Sequence, residues 1–242
     1  MMKGFFITGT DTDIGKTITT GLLTKYFLEK GIDAFPYKPV QSGAVLKKDR
    51  LVAPDTEFYE EVTNRSFGKD ANTYLLKTPS SPHLAAALDG VSIELKPILE
   101  QVEKLQGIHE LLLIEGAGGL IVPLNEEATI LDLIERVSLP VILVARAGLG
   151  TINHTVLSVM ALKQWSIEIA GIILNQTSRD EMPEIERDNK RMIETLTGEK
   201  VIGVLPNISQ NSFATVDVGE LFKNWKLEES EEDIQSESTT AY

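Results

Sequence analysis

The sequence predicts an α/β fold, in which a single domain holds a doubly wound, mostly parallel β-sheet with helices on both faces. Short apolar runs alternate with longer segments whose apolar residues recur at helical spacing. The runs are continuously apolar rather than alternating, which indicates that both faces of the sheet are covered. Right-handed crossovers between parallel strands produce such an arrangement.

Six strands are expected, and each apolar run ends in a small, polar or charged residue. Pro36 lies in the second run and predicts that the first half of that strand is irregular, because proline cannot donate a ladder hydrogen bond. The expected strands are residues 4–7, 34–37, 111–114, 141–145, 170–174 and 201–205.

Three helices are expected between these strands. An apolar stripe from Ile18 to Phe27 predicts the first, which Gly31 ends in the left-handed conformation. Similar stripes in residues 152–163 and 185–196 predict two further helices that pack on the sheet.

One domain is expected in residues 1–227, followed by a tail in residues 228–242. The length of 242 residues suits one large α/β domain. The tail carries six acids and no base among scattered serines and threonines, a composition typical of disorder.

Deleting residues 228–242 is expected to leave turnover and melting temperature nearly unchanged, because this segment has few apolar side chains to bury. Thermal melting and activity of the full-length and shortened proteins check this. A fall of several degrees in melting temperature would show that the tail packs against the domain.

The composition excludes several classes of function. The chain has 23 Lys and Arg against 36 Asp and Glu, a net charge of −13 that disfavours nucleic acid as a partner. The lack of cysteine excludes disulfides, thiolate nucleophiles and iron–sulfur clusters. The longest apolar stretch, residues 139–145, is too short to span a membrane, and no secretory signal is recognisable. We therefore expect a soluble, cytoplasmic protein without a membrane partner.

Hydrolytic and zinc chemistry are also disfavoured. The three histidines, His83, His109 and His154, have no metal-ligand spacing. No Gly-x-Ser-x-Gly nucleophile motif occurs. Phosphoryl transfer and a nucleotide-dependent switch remain as the candidate functions.

Residues 9–17, Gly-Thr-Asp-Thr-Asp-Ile-Gly-Lys-Thr, form a candidate phosphate-binding loop between the first strand and the first helix. Backbone N–H groups and the helix dipole can hold an anion there. Gly15 lets the backbone approach phosphate, Lys16 supplies a cation, and the Thr17 hydroxyl can ligate Mg²⁺. Five residues separate the two glycines instead of the usual four, which indicates an atypical P-loop NTPase. The alternative is a chance Gly-Lys-Thr at a helix start.

Two acids, Asp11 and Asp13, lie inside this loop. Carboxylates repel a triphosphate unless a metal or a cationic group lies near them. They therefore suggest a cationic second substrate.

Further candidates follow the expected strands, at the edge where open α/β sheets bind ligands. Glu115 ends the third strand and precedes the glycine-rich segment 116–119, so a carboxylate and bare backbone can approach a Mg²⁺-phosphate there. The residues at strand ends are Lys38, Glu115, Arg146, Asn175 and Pro206.

Three candidates have ordinary alternatives. Lys38 precedes a proline and could reach a γ-phosphate, or be a solvated surface lysine. Asp55 could ligate a metal, or cap a helix that begins after Pro54. Asn175 could bind adenine through its amide, or merely hold a turn.

Five segments together resemble the dethiobiotin synthetase family. They occur in the family's order, and the long gap in the phosphate loop is itself a family trait. The segments are residues 9–17, 37–43, 81–83, 115–119 and 148–154.

The resemblance implies a Mg²⁺-dependent ligase of biotin biosynthesis with ATP as co-substrate. Its reaction joins 7,8-diaminononanoate and CO₂ to a carbamate, which ATP phosphorylates to a carbamic-phosphoric anhydride. The second amine then closes the ring of dethiobiotin, with release of ADP and phosphate.

The same resemblance implies roles for individual residues. The catalytic residues would be Lys16 and Lys38, and the Mg²⁺ ligands Thr17, Asp55 and Glu115. The substrate would contact Thr12, Ser42, Leu149 and Asn153. The nucleotide would contact Asp13, Ile14, Gly15, Lys16, Thr17, Ile18, Asp55, Glu115, Gly116, Ala117, Gly118, Asn175, Leu205, Pro206 and Asn207.

Similar enzymes are homodimers whose loop at residues 148–154 reaches the diamine in the neighbouring subunit, which implies a homodimer here. Asp13 departs from the family, which often has glutamate at this position. The alternative function is a partitioning- or positioning-type ATPase switch. Those proteins resemble one another in a lysine directly after the first glycine of the loop, where this chain has Thr10.

Overall fold

The computed structural model describes residues 4–177, 182–207, 210–223 and 225. The predicted tail at residues 228–242 lies outside them. The strands in the described residues are β1 (Gly4–Gly9), β2 (Ala34–Gln41), β3 (Val45–Lys47), β4 (Arg50–Val52), β5 (Asn72–Leu75), β6 (Leu111–Gly119), β7 (Val141–Arg146), β8 (Ile169–Asn175) and β9 (Val201–Leu205).

The main sheet has seven strands in the order β5-β2-β6-β1-β7-β8-β9, and the pairs are parallel. The predicted fold class is confirmed. The six expected strands correspond to β1, β2, β6, β7, β8 and β9. The sequence did not indicate β5, which is short and half-buried, or the small antiparallel hairpin of β3 and β4.

The expectation that Pro36 makes β2 irregular is wrong, because β2 is one continuous strand. Pro36 pairs in register with Leu113 of β6. On the other side, β5 begins to pair only at Lys38. Around Pro36 the strand therefore has a neighbour on one side alone, where the missing proline donor is tolerated.

The α-helices in the described residues are α1 (Lys16–Glu29), α2 (Pro54–Thr63), α3 (Pro82–Asp89), α4 (Leu95–Gln106), α5 (Ile130–Val137), α6 (Thr151–Gln164), α7 (Glu184–Thr197) and α8 (Val218–Leu221). The same part of the chain has two short 3₁₀ helices, Gly68–Ala71 and Gln210–Thr215. The three predicted helices are present as α1, α6 and α7, and Gly31 follows α1 with φ 80°.

Both faces of the sheet are buried, as the continuous apolar runs predict. Along β6, Leu112 and Ile114 pack into one core with residues of α4 and α5, whereas Leu111 and Leu113 pack into a second core with residues of α1 and α8. Neighbouring residues of a strand point to opposite faces, so one apolar run supplies both cores. No helix in the described residues has the length and hydropathy needed to cross a membrane.

Candidate active site

The phosphate loop joins β1 to α1, as the motif predicts. Asp13 and Gly15 have positive φ values of 54° and 98°. A Cβ on Gly15 would lie 2.1 Å from Nδ2 of Asn175. Glycine is therefore required here by the left-handed backbone and by the close approach of a side chain.

Asn175 holds this loop against the end of β8. Its Nδ2 donates a hydrogen bond to the carbonyl oxygen of Ile14 at 3.0 Å. The sequence allowed Asn175 either to bind adenine or to hold a turn. The hydrogen bond to Ile14 is the contact expected of a residue that holds a turn.

A buried cluster of ionic side chains lies below the loop, centred on Glu115 at the middle of β6. Glu115 is 1% exposed. Its Oε1 accepts hydrogen bonds from the Thr17 hydroxyl at 2.9 Å and from Nζ of Lys38 at 2.5 Å. Its Oε2 accepts a hydrogen bond from the Tyr59 hydroxyl. Nζ of Lys38 also lies 2.8 Å from Oδ2 of Asp55.

The two lysines of the site differ in their electrostatic surroundings. Burial disfavours the charge of Lys38, but attraction by Glu115 and Asp55 outweighs burial and raises its pKa above the ordinary value. Burial, and then repulsion by Lys38, lowers the pKa of Lys16 to about 8. Lys16 donates to a neutral acceptor, the carbonyl oxygen of Asp11, at 2.7 Å. Of these two lysines, Lys16 is therefore the one whose charge the protein compensates less.

Lys38 is not a solvated surface lysine and Asp55 is not a helix cap, which were the alternatives that the sequence left open. Lys38 is 6% exposed and is therefore not a solvated surface lysine. The N-cap of α2 is Ala53, and Asp55 lies in the first turn, where its carboxylate contacts Lys38.

A cavity of about 850 Å³ opens above the cluster. Ser42 lines it, and Oγ of Ser42 is buried without a hydrogen-bond partner among the described residues. The predicted site residues that line this cavity are Thr12, Asp13, Gly15, Lys16, Thr17, Ile18, Lys38, Ser42, Asp55, Ala117, Gly118 and Asn175.

A smaller cavity of about 290 Å³ lies beside it. Asp13, Ile18 and Asn175 line both cavities. Four predicted residues line the smaller cavity and not the larger one: Ile14, Arg146, Pro206 and Asn207. The two spaces therefore meet at the phosphate loop.

Several predicted residues lie elsewhere. The side chain of Leu205 is fully buried in the core of the α1 face. Leu149 is 91% exposed, and Asn153 is also exposed at the start of α6. Neither residue lines either of these two cavities in the described part of the chain. Glu115 and Gly116 lie beneath the cavity rather than in its wall, and a Cβ on Gly116 would approach the Phe6 ring to 3.0 Å.

Sequence reasoning missed other residues of the site. In the sequence, Tyr59 occupies an ordinary apolar position of a helix. Its neighbours along the chain do not indicate a contact with Glu115. Pro79 and Ser80 line the cavity, and their only signal is that they precede the Ser-Pro-His segment.

The oxygen atoms of Thr17, Asp55 and Glu115 are the donors that could hold a metal ion. Hydroxyl and carboxylate oxygens suit a hard divalent cation such as Mg²⁺. Within the described residues, no group of three or more His, Asp or Glu side chains could hold a metal by itself.

Comparison with known proteins identifies the family. Residues 3–215 match the family described as AAA domain. Over 212 residues, 87% of this chain and 95% of the relative, the sequence is 48% identical to ATP-dependent dethiobiotin synthetase BioD of Anoxybacillus flavithermus. Over 207 residues, 85% of each chain, it is 46% identical to the protein of the same name from Halalkalibacterium halodurans. The chain belongs to the dethiobiotin synthetase family. Membership confirms the resemblance found in the sequence. It also confirms the prediction that the protein is an ATP-dependent ligase.

Solved structures confirm the P-loop NTPase fold. The septum site-determining protein MinD of Pyrococcus horikoshii, complexed with Mg-ADP, superposes with a TM-score of 0.58 and 18% identity over 93% of this chain and 94% of that chain. A ParA family ATPase of Chlorobium tepidum superposes with a TM-score of 0.55 and 10% identity over 93% and 97%. At such identities the likeness shows the shared fold alone.

Proposed function

We propose that the chain closes the ureido ring of dethiobiotin from 7,8-diaminononanoate and CO₂, with ATP as co-substrate. The observation that carries the proposal is the convergence of two lysines, two carboxylates and a threonine hydroxyl at one cavity of a dethiobiotin synthetase family member.

The proposed reaction has three steps. One amine attacks CO₂ and loses a proton, which leaves a carbamate. A carbamate oxygen attacks the γ-phosphorus of ATP, and the bond to ADP breaks. The second amine attacks the carbamate carbon, and phosphate leaves with loss of a proton. The second step brings two anions together, so it needs cations near the transferred phosphoryl group.

The lysines would supply these cations. Lys16 at the start of α1 would bind the β- and γ-phosphates, and Lys38 would contact the transferred phosphoryl group and the carbamate. Oγ of Ser42 has no hydrogen-bond partner in the described ranges and would bind the carbamate, and Thr12 would contact the diamine. These residues line one cavity of about 850 Å³, which would hold the diamine beside the phosphates of ATP.

Mg²⁺ would be held by Thr17, Asp55 and Glu115, and when bound it would neutralise charge on the β- and γ-phosphates. The fit is supported by the Thr17 hydroxyl and the Asp55 carboxylate, which both contact the Glu115–Lys38 pair.

The nucleotide would extend from the phosphate loop into the smaller cavity. Backbone N–H groups of residues 13–18 and the glycine-rich segment 116–118 would surround the phosphates. Adenine would lie in the smaller cavity beside Asn175, Pro206 and Asn207, with Leu205 contributing only backbone because its side chain is buried.

A homodimer would complete the diamine site. Leu149, just before α6, and Asn153, in its first turn, are exposed, and Leu157 and Met160 on α6 are exposed apolar residues. A second copy that covers this surface would receive Leu149 and Asn153 at its own cavity.

Isotope incorporation tests the reaction. We expect slow ATP hydrolysis by the protein alone and faster turnover when 7,8-diaminononanoate and labelled bicarbonate are both present, with the label recovered in a cyclic urea. A switch ATPase would ignore the diamine. ATP turnover that responds to DNA, membrane or a protein partner, without carbon incorporation, would contradict the synthetase proposal.

A further inference from the structure

The two oxygen atoms of Glu115 have different partners. Oε1 faces the phosphate loop and accepts from Thr17 and Lys38. Oε2 points away from these groups, toward α2, and accepts from the hydroxyl of Tyr59. Tyr59 is fully buried, so this hydroxyl does not exchange its partner for bulk water.

Tyr59 is the donor of this hydrogen bond, because a carboxylate oxygen can only accept. The fully buried ring holds the hydroxyl against Glu115, so one carboxylate oxygen stays occupied.

The position of Tyr59 is set by close packing of α2 against α1. A Cβ on Gly21 of α1 would lie 3.0 Å from the ring of Phe58 and 3.7 Å from the ring of Tyr59. Asp55 and Tyr59 are four residues apart on α2 and so share one face of the helix. One helix thus presents a carboxylate to Lys38 and a hydroxyl to Glu115.

We propose that Tyr59 is a positioning residue, which fixes the Glu115 carboxylate so that Oε1 alone faces the metal ion. This inference rests on the proposed metal role of Glu115. Hydrogen bonds to the far side of a metal ligand orient it, and their loss weakens metal affinity by roughly 10- to 100-fold. The rival explanation is that Tyr59 only fills the core.

The test compares two matched variants. Tyr59→Phe keeps the ring and removes the hydroxyl. Tyr37→Phe makes the same change at another fully buried tyrosine, whose hydroxyl pairs with Oγ1 of Thr73 at 2.5 Å and is not bonded to Glu115. Binding of Mn²⁺, a paramagnetic stand-in for Mg²⁺, is measured from the free-ion resonance with a non-hydrolysable ATP analogue present.

We expect Tyr59→Phe to weaken Mn²⁺ binding by roughly 10- to 100-fold and to raise the Mg²⁺ concentration for half-maximal turnover in parallel. Tyr37→Phe should leave both unchanged. Wild-type Mn²⁺ affinity in Tyr59→Phe would overturn the inference, as would loss of folding in Tyr59→Phe alone, which would assign the hydroxyl to the core.

A third variant separates the positioning role of Tyr59 from the proposed metal role of Glu115. Glu115→Gln should weaken Mn²⁺ binding if Glu115 is a metal ligand. If Glu115→Gln binds Mn²⁺ as the wild type does, the metal assignment itself fails and the role of Tyr59 fails with it. If only Tyr59→Phe binds normally, the metal assignment stands and the positioning role alone is overturned.

Discussion

Replacing Lys16 by alanine is expected to abolish ATP-dependent turnover without unfolding the protein. Lys16 lies at the start of α1 beside the phosphate loop, and its ammonium contacts a neutral carbonyl oxygen rather than a carboxylate. A phosphate group would therefore be its first strong anionic partner. Deleting this cation removes charge stabilisation from the phosphoryl transfer itself.

Replacing Lys16 by methionine should abolish turnover without lowering the melting temperature. The pKa of Lys16 is lowered to about 8, so the fold disfavours its charge, and that unfavourable contribution is fully present below pH 8. Lys16→Met removes the charge and keeps the apolar stem. Its melting temperature at pH 7 should equal or exceed that of the wild type, while turnover is lost.

Thr17→Val serves as a second probe of the same loop, and Thr19→Val is its matched control on α1. Both substitutions replace a hydroxyl by a methyl group. The Thr17 hydroxyl contacts Glu115, whereas the buried hydroxyl of Thr19 has no hydrogen-bond partner in the described part of the chain. Turnover should be lost in Thr17→Val and kept in Thr19→Val. Wild-type activity in either the Thr17 or the Lys16 variants would refute the role of this loop.

Replacing Lys38 by alanine is expected to lower turnover by roughly 10²- to 10³-fold, the usual loss when one preorganised group facing developing charge is removed. The affinity for ATP should change less, because Lys38 would act on the transferred group. Single-turnover rates and nucleotide binding measure the two effects separately.

Unlike the Lys16 variants, Lys38→Ala should also destabilise the fold. Its ammonium contacts the buried carboxylate of Glu115 and that of Asp55, and removing it leaves these charges uncompensated. Added Mg²⁺ should restore part of the lost melting temperature. Unchanged turnover with a lower melting temperature would mean that Lys38 is only structural.

The fold was predictable where a strand is buried on both faces. The runs in β6 and β7 are continuously apolar because each strand supplies two cores, and this pattern is readable along the chain. By contrast, β5 contains Asn72 and Thr73 and is only half-buried, so its four residues lack that pattern. Its place in the sheet depends on pairing with the second half of β2, which is a long-range contact.

The site was predictable to the extent that its residues follow apolar runs. Asn175 is the last residue of β8, but Lys38 and Glu115 lie inside β2 and β6, so the expectation that they stand at strand ends is wrong. They still meet, because β2 and β6 are neighbouring parallel strands. Tyr59 meets Glu115 only because α2 packs closely on α1, and a tyrosine on an apolar helix face carries no local sign of this. Leu149 and Asn153 are exposed in the described part of the chain, so their predicted contact with the substrate depends on the proposed homodimer.

The ionic cluster has a consequence for how substrates reach the site. Lys16 and Lys38 carry two positive charges and Asp55 and Glu115 carry two negative charges, so these four side chains together add no net charge. At longer range an approaching ligand meets the acidic character of the whole chain, whose net charge is −13. That field retards a nucleotide anion and draws in a diammonium ion. Added salt screens both effects, so it should speed the capture of the nucleotide and slow the capture of the diamine.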